Sequence, residues 1–266
     1  MDQEKLETYL SPCICLAREQ LQKKWESWTV NPNNIEVHET IGGLMARQVS
    51  LFVQIVSNPG IWNGHVGPLV LRSMVDTYIN FCWIWGSPVE RAQAFIQYGL
   101  GQEKLNLEHL KKAMQEAGDD PDQSEVVNDL TTWIDTQRWR FLTDVNVGSW
   151  SGKSTRAMAE EAGCKEIYNH AYQPFSAPVH SMWNHIAKYN LQHCNNPLHK
   201  YHRIPIDPEM HLDISYVVNA AKYVEKTFHV FDQKIGVESP KTTFLDRVKQ
   251  SLSQMVEEVK NENEGE

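Results

Sequence analysis

Apolar residues recur along the chain at intervals of three and four and seldom alternate, so the pattern predicts helices almost throughout. Between residues 2 and 28, Leu6, Leu10, Leu16, Leu21 and Trp25 form a stripe among charges. An interruption is expected at Ser11-Pro12, because proline withholds the amide that a helix interior uses. Leu44, Val49, Phe52 and Val56 repeat at helical spacing from Glu39 to Val56, and Asn58-Pro59-Gly60 makes a turn. Leu69 to Trp85 is apolar nearly all round, as befits a helix in the middle of a bundle. Ser87-Pro88, Asp120-Pro121, Asp207-Pro208 and Ser239-Pro240 each set a capping side chain before a first-turn proline and predict further helix starts. The first of these helices should run to about Ala117 and stop at Gly118. The fold class is all-α, a multi-helix bundle in one domain. Its core is expected at about 30–236, with a C-terminal helix and acidic tail over 237–266.

Composition narrows the classes. At 266 residues and 41% hydrophobic, the chain buries a sizeable core without disulfide staples, which excludes disordered and disulfide-scaffold proteins. A formal charge of −9, from 25 basic and 34 acidic residues, argues against a general nucleic-acid or membrane-surface binder. The most apolar window is broken by Arg72, Asp76 and Asn80, so no membrane span is expected. Five scattered cysteines without paired zinc spacing fit a reduced, cytoplasmic protein. The tail VEEVKNENEGE is expected to fray.

Two polar rows stand out. Arg72, Asp76 and Asn80 are four residues apart within the apolar window, so their side chains share one helix face. An unpaired buried charge costs several kcal/mol, so Arg72 and Asp76 must be partnered. They form either a site or an ion pair that holds architecture. The second row is Tyr168, Tyr172, Ser176 and His180 in YNHAYQPFSAPVH, again spaced by four. Pro174 and Pro178 predict a kink near Ser176, which then reads as an N-cap with Pro178 in the first turn of a helix reaching Lys188. Tyr168, Tyr172 and His180 together read as a polar face turned toward the Arg72 row.

With these motifs, the sequence resembles a bacterial family of helical domains of unknown function. That family carries Arg-x-x-x-Glu/Asp on one helix and a later Tyr-x-x-x-Tyr-x-x-x-Ser-x-x-x-His. The resemblance also takes in Trp150, the Met158-to-Gly163 stretch and Asn196-Pro197, and spans roughly residues 66–200. Asp76 stands where Glu is usual, which shortens the carboxylate's reach. The resemblance implies an effector or accessory protein of phage defence or mobile elements, and it implies no particular reaction.

The residues suggest chemistry of their own. Arg72 offers a fork for phosphate, with Asp76 orienting it, and His180 is the candidate acid/base. Tyr172 is the further catalytic candidate, while Tyr168, Ser176 and Asn80 are candidate binding donors. Metal-independent RNA cleavage fits that set. Helical toxins of the HEPN type place Arg and His four to six residues apart, a spacing absent here, so the bundle is only distantly HEPN-like in architecture. A serine hydrolase would need a Gly-x-Ser-x-Gly elbow, which is missing. Seven of the eleven histidines fall between His170 and His211, yet without His-Glu-x-x-His or paired Glu-x-x-His spacing, and the histidines of NPLHKYH look irregular. No metal or other cofactor is therefore expected. STRAMAEEAGCKEIY mimics a helix-turn-helix but offers only Lys165 as a base on the reading helix, so sequence-specific DNA is not expected. Gly152-Lys153-Ser154 lacks the first glycine of a phosphate loop and reads as a turn into a Ser154 N-cap. The expected ligand is RNA or a nucleotide, possible partners are another protein or a second copy, and the rival reading is a non-catalytic scaffold or protein-binding module.

Overall fold

The computed structural model describes residues 3–141, 145–146, 148–238 and 240–264. The apolar stripes become α1 (Gln3–Ser27), α2 (Ile35–Ser57), α3 (Gly67–Ile84), α4 (Pro88–Ala117) and α5 (Glu125–Phe141). Two short helices follow, α6 (Thr155–Glu161) and α7 (Lys165–Ile167), then one π-helical turn over Tyr168–Tyr172. It leads into α8 (Gln173–Val179) and α9 (Trp183–Tyr189). A hairpin of β1 (Leu191–His193) and β2 (Arg203–Pro205) precedes the long helices α10 (Ser215–Ile235) and α11 (Phe244–Glu264). The molecule is an all-α multi-helix bundle, and the hairpin is its only sheet among the described residues.

Helix α2 lies at the centre, packed on α1, α3, α4 and α10. Its Ile41, Met45, Phe52 and Ile55 are fully buried. Gln48 is buried among them, and its amide nitrogen donates to the Met74 carbonyl at 2.9 Å and to Thr227 Oγ1 at 3.2 Å, so its donor side is satisfied where water is excluded. Leu71, Met74, Ile79 and Phe81 fill the other side from α3. Helix α4 ends as its sequence foretells. Gly118 adopts φ 87°, and the Asp119 amide reaches back to the Met114 carbonyl at 2.9 Å. Helix α5 folds back on α4 around a small cluster of Leu107, Val127 and Ile134. Ser154 caps α6 by accepting from the Ala157 amide, as expected.

Several expectations differ from the structure. Helix α1 runs unbroken through Pro12, because Leu10, Cys13 and Ala17 are buried and their packing outweighs the lost hydrogen bond. The core extends beyond 30–236, into those residues and into Phe244, Val248, Leu252 and Met255 of α11. The acidic tail is helical through Glu264, continuing that amphipathic helix. Asp207-Pro208 starts no helix. The chain stays irregular until Asp213, whose amide donates to the Trp62 carbonyl at 2.7 Å while its carboxylate accepts from the Ser215 amide at 2.8 Å. Ser239 lies outside the described residues. Helix α11 is capped reciprocally by Thr243 and Asp246, each side chain accepting from the other's amide at 3.1 Å. No described helix is long and apolar enough to cross a membrane.

Candidate functional site

Helix α3 packs against α6, α8 and the π-helical turn, and this contact brings the two polar rows together. Arg72 is buried, with its side chain 9% exposed. Its Nε donates to Ser176 Oγ at 3.1 Å, an Nη pairs with the Asp76 carboxylate one turn along, and the guanidinium carbon sits 3.0 Å from the centre of the Tyr172 ring. Ser176 Oγ in turn donates to the Tyr172 carbonyl at 2.6 Å, and the Tyr172 hydroxyl donates to Thr155 Oγ1 at 3.2 Å on α6. Tyr168 stacks on Tyr172 with ring centres 4.7 Å apart. One arginine thereby joins α3 to α8 through a hydrogen bond and to the π-helical turn through a cation–π contact, while its ion pair stays within α3. Burial pushes the Asp76 carboxyl above its ordinary value, and the Arg72 charge and hydrogen bond offset only part of that.

Three of the seven candidate residues depart from their expected setting. Ser176 is inside α8 and not its N-cap, because the π-helical turn absorbs the extra backbone and the helix restarts at Gln173 with Pro174 in its first turn. His180 terminates α8, its amide donating to the Ser176 carbonyl at 3.0 Å, and Ser181 takes φ 49°, so no single helix reaches Lys188. The His180 side chain is exposed, and no hydrogen bond or ring contact joins it to Arg72 among the described residues. Asn80 is half-buried and takes no part in the network formed by Arg72, Asp76, Tyr172 and Ser176. Clefts that indent the bundle include one of about 380 Å³ between α2, α4 and α5, one of about 450 Å³ between α1 and α11, and one of about 300 Å³ beside Trp28 and Trp85. None of these three is lined by Arg72, Tyr172, Ser176 or His180.

Other chemistry-bearing groups gather where spacing gave no sign. His65 Nδ1 and His185 Nε2 lie 3.2 Å apart, with the Tyr189 ring against both, and join the loop before α3 to α9. Desolvation lowers the His185 pKa below its ordinary 6.5, helped by the nearby charges of His65 and Lys188. At the mouth of the hairpin, Cys194, His199 and His202 hold their ligand atoms within 4.8 Å of one another, a donor set that suits a transition metal. Around them, residues 167–206 contain none of the 34 acidic residues and six of the eleven histidines, together with Lys188, Lys200 and Arg203. Trp183 is 65% exposed and Tyr201 is 87% exposed on this segment. Arg203 lies over the Trp183 ring at 5.2 Å and donates to the Ala187 carbonyl at 3.2 Å, which docks the hairpin on α9.

Fold and geometry thus define a helical bundle with a clamped polar node and a basic, aromatic appendage. The chain belongs to a family of unknown function, DUF5677, whose model matches residues 38–197. That span takes in the Arg72 node and His180 and ends before His199 and His202. No curated protein and no solved structure matches the chain.

Proposed function

We propose that this protein binds single-stranded RNA on the surface of residues 167–206, and that the Arg72 node is the architectural clamp that holds this segment to the bundle. The observation that carries the reading is the complete absence of carboxylates across forty consecutive residues in a chain of net charge −9. Local charge governs attraction for a polyanion, and bases stack on exposed aromatic rings whatever their sequence. Lys188, Lys200 and Arg203 each lie beside an aromatic ring, which supplies both elements together. Cleavage is the weaker reading. It requires an imidazole beside the anion clamp, and two donor nitrogens of Arg72 are already engaged by Ser176 and Asp76. An accessory role in phage defence or a mobile element fits an RNA-binding surface of this kind.

Fluorescence anisotropy of a labelled oligouridylate, titrated at several salt concentrations, tests the proposal. Neutralising about three phosphates gives a log–log salt slope of roughly −2. Substituting Lys188→Ala and Lys200→Ala together should flatten that slope. No binding at low salt, or binding indifferent to these lysines, would overturn the proposal. An RNA integrity assay on the same mixtures reads cleavage separately.

A further inference from the structure

We propose that Cys194, His199 and His202 bind one zinc ion at the mouth of the β1–β2 hairpin, with the fourth position open to solvent. The strands pair antiparallel with His193 opposite Arg203, and the ladder continues one step as the Cys194 amide donates to the His202 carbonyl at 3.0 Å. Cys194 and His202 therefore face each other across the chain by backbone pairing alone. The intervening residues fold back in two tight turns. Asn196 accepts from the Leu198 amide at 3.0 Å, the His199 amide donates to the Asn196 carbonyl at 2.9 Å, and the His202 amide donates to the His199 carbonyl at 2.9 Å. These turns set His199 Nδ1 3.7 Å from Cys194 Sγ and its ring 5.4 Å from that of His202.

Tetrahedral zinc holds sulfur and imidazole nitrogen at about 2.0–2.3 Å, and the 3.7 Å between Cys194 Sγ and His199 Nδ1 is close to the sulfur–nitrogen edge of that geometry, with all three ligand atoms within 4.8 Å of one another. A thiolate with two imidazoles is a borderline-soft set, which favours zinc over magnesium or calcium. Binding replaces the thiol proton of Cys194 by the metal and releases it to solvent, and each imidazole binds in its neutral form. Metal at His199 Nδ1 leaves the ring proton on Nε2. The two histidines are exposed and Cys194 is half-buried, so the site is reachable from water and its open position can take a solvent molecule or an anionic ligand atom. Cys13 and Cys164 are buried, and Cys15 lies far away in sequence on α1 with no such donor cluster among the described residues. This assignment stands apart from the RNA proposal, since metal retention is measured without RNA.

The test uses full-length protein with any affinity tag removed, loaded with zinc, desalted and assayed for bound metal. Wild type should retain about one zinc per chain, and Cys194→Ser and His199→Ala should each lose it with unchanged helical circular dichroism. Cys15→Ser should retain it. Cobalt loading of wild type should produce thiolate-to-cobalt charge-transfer absorption, a signature that needs no variant to fold. Wild type without retained metal, a cobalt spectrum without the thiolate band, or a Cys194→Ser protein that keeps its zinc would each overturn the assignment.

Discussion

The Arg72 cluster lies between packed helices with the arginine side chain 9% exposed, whereas Cys194, His199 and His202 lie on a hairpin docked on α9 with both histidines open to water. Both regions gather polar groups from different elements. In the first, each group meets a partner within the cluster, because a buried donor or charge left unpaired costs more than it can recover elsewhere. In the second, both histidines are exposed, so their ring nitrogens can be reached by an incoming ion. Burial is thus what separates polar residues that hold a fold from polar residues that can receive a ligand.

The largest expected effect breaks the first region. Arg72→Ala removes the ion pair, the Ser176 hydrogen bond and the Tyr172 stack, and should cost about 3 kcal/mol in urea unfolding. Because the pair offsets only part of its desolvation, Arg72→Met combined with Asp76→Leu should recover most of that loss. A double variant as unstable as Arg72→Ala would mean that the charges themselves hold the helices together. Next in size, Trp183→Ala should weaken oligouridylate binding by about 1–3 kcal/mol while leaving the urea midpoint unchanged, since the ring is largely exposed. His180→Ala should move stability by no more than about 0.5 kcal/mol and leave RNA fragment patterns as in wild type. Loss of an RNA-cleaving activity in that variant would restore a catalytic reading of α8.

The smallest effect concerns pH. His185 has a folded pKa below 6.5, so the unfolded chain binds the proton more tightly and stability falls as pH drops through that region. Unfolding midpoints should decline between about pH 7.5 and pH 5.5, and His185→Gln should flatten that decline. An equal slope in the variant would assign the pH dependence to other groups.

The sequence was most legible where structure is local. Apolar patterning located α2 and α3, and Ser87-Pro88 and Gly118 marked the ends of α4, because helix hydrogen bonds and caps connect residues a few positions apart. Spacing by four also anticipated Arg72 with Asp76, which belong to one helix. The second row extended too far. Tyr172 and Ser176 reach Arg72, but the positive φ of Ser181 ends the helix at His180, and periodicity carries no sign of it.

What the chain determined by itself was its helical class, its major breaks and the pairing of charges along α3, all consequences of contacts within one turn of helix. The tertiary structure alone decided that Arg72 would meet Ser176 across 104 residues, that His65 would meet His185, and that Cys194 would meet two histidines. Such meetings depend on which apolar faces bury against one another and on how strands pair, and no fixed spacing along a chain encodes either.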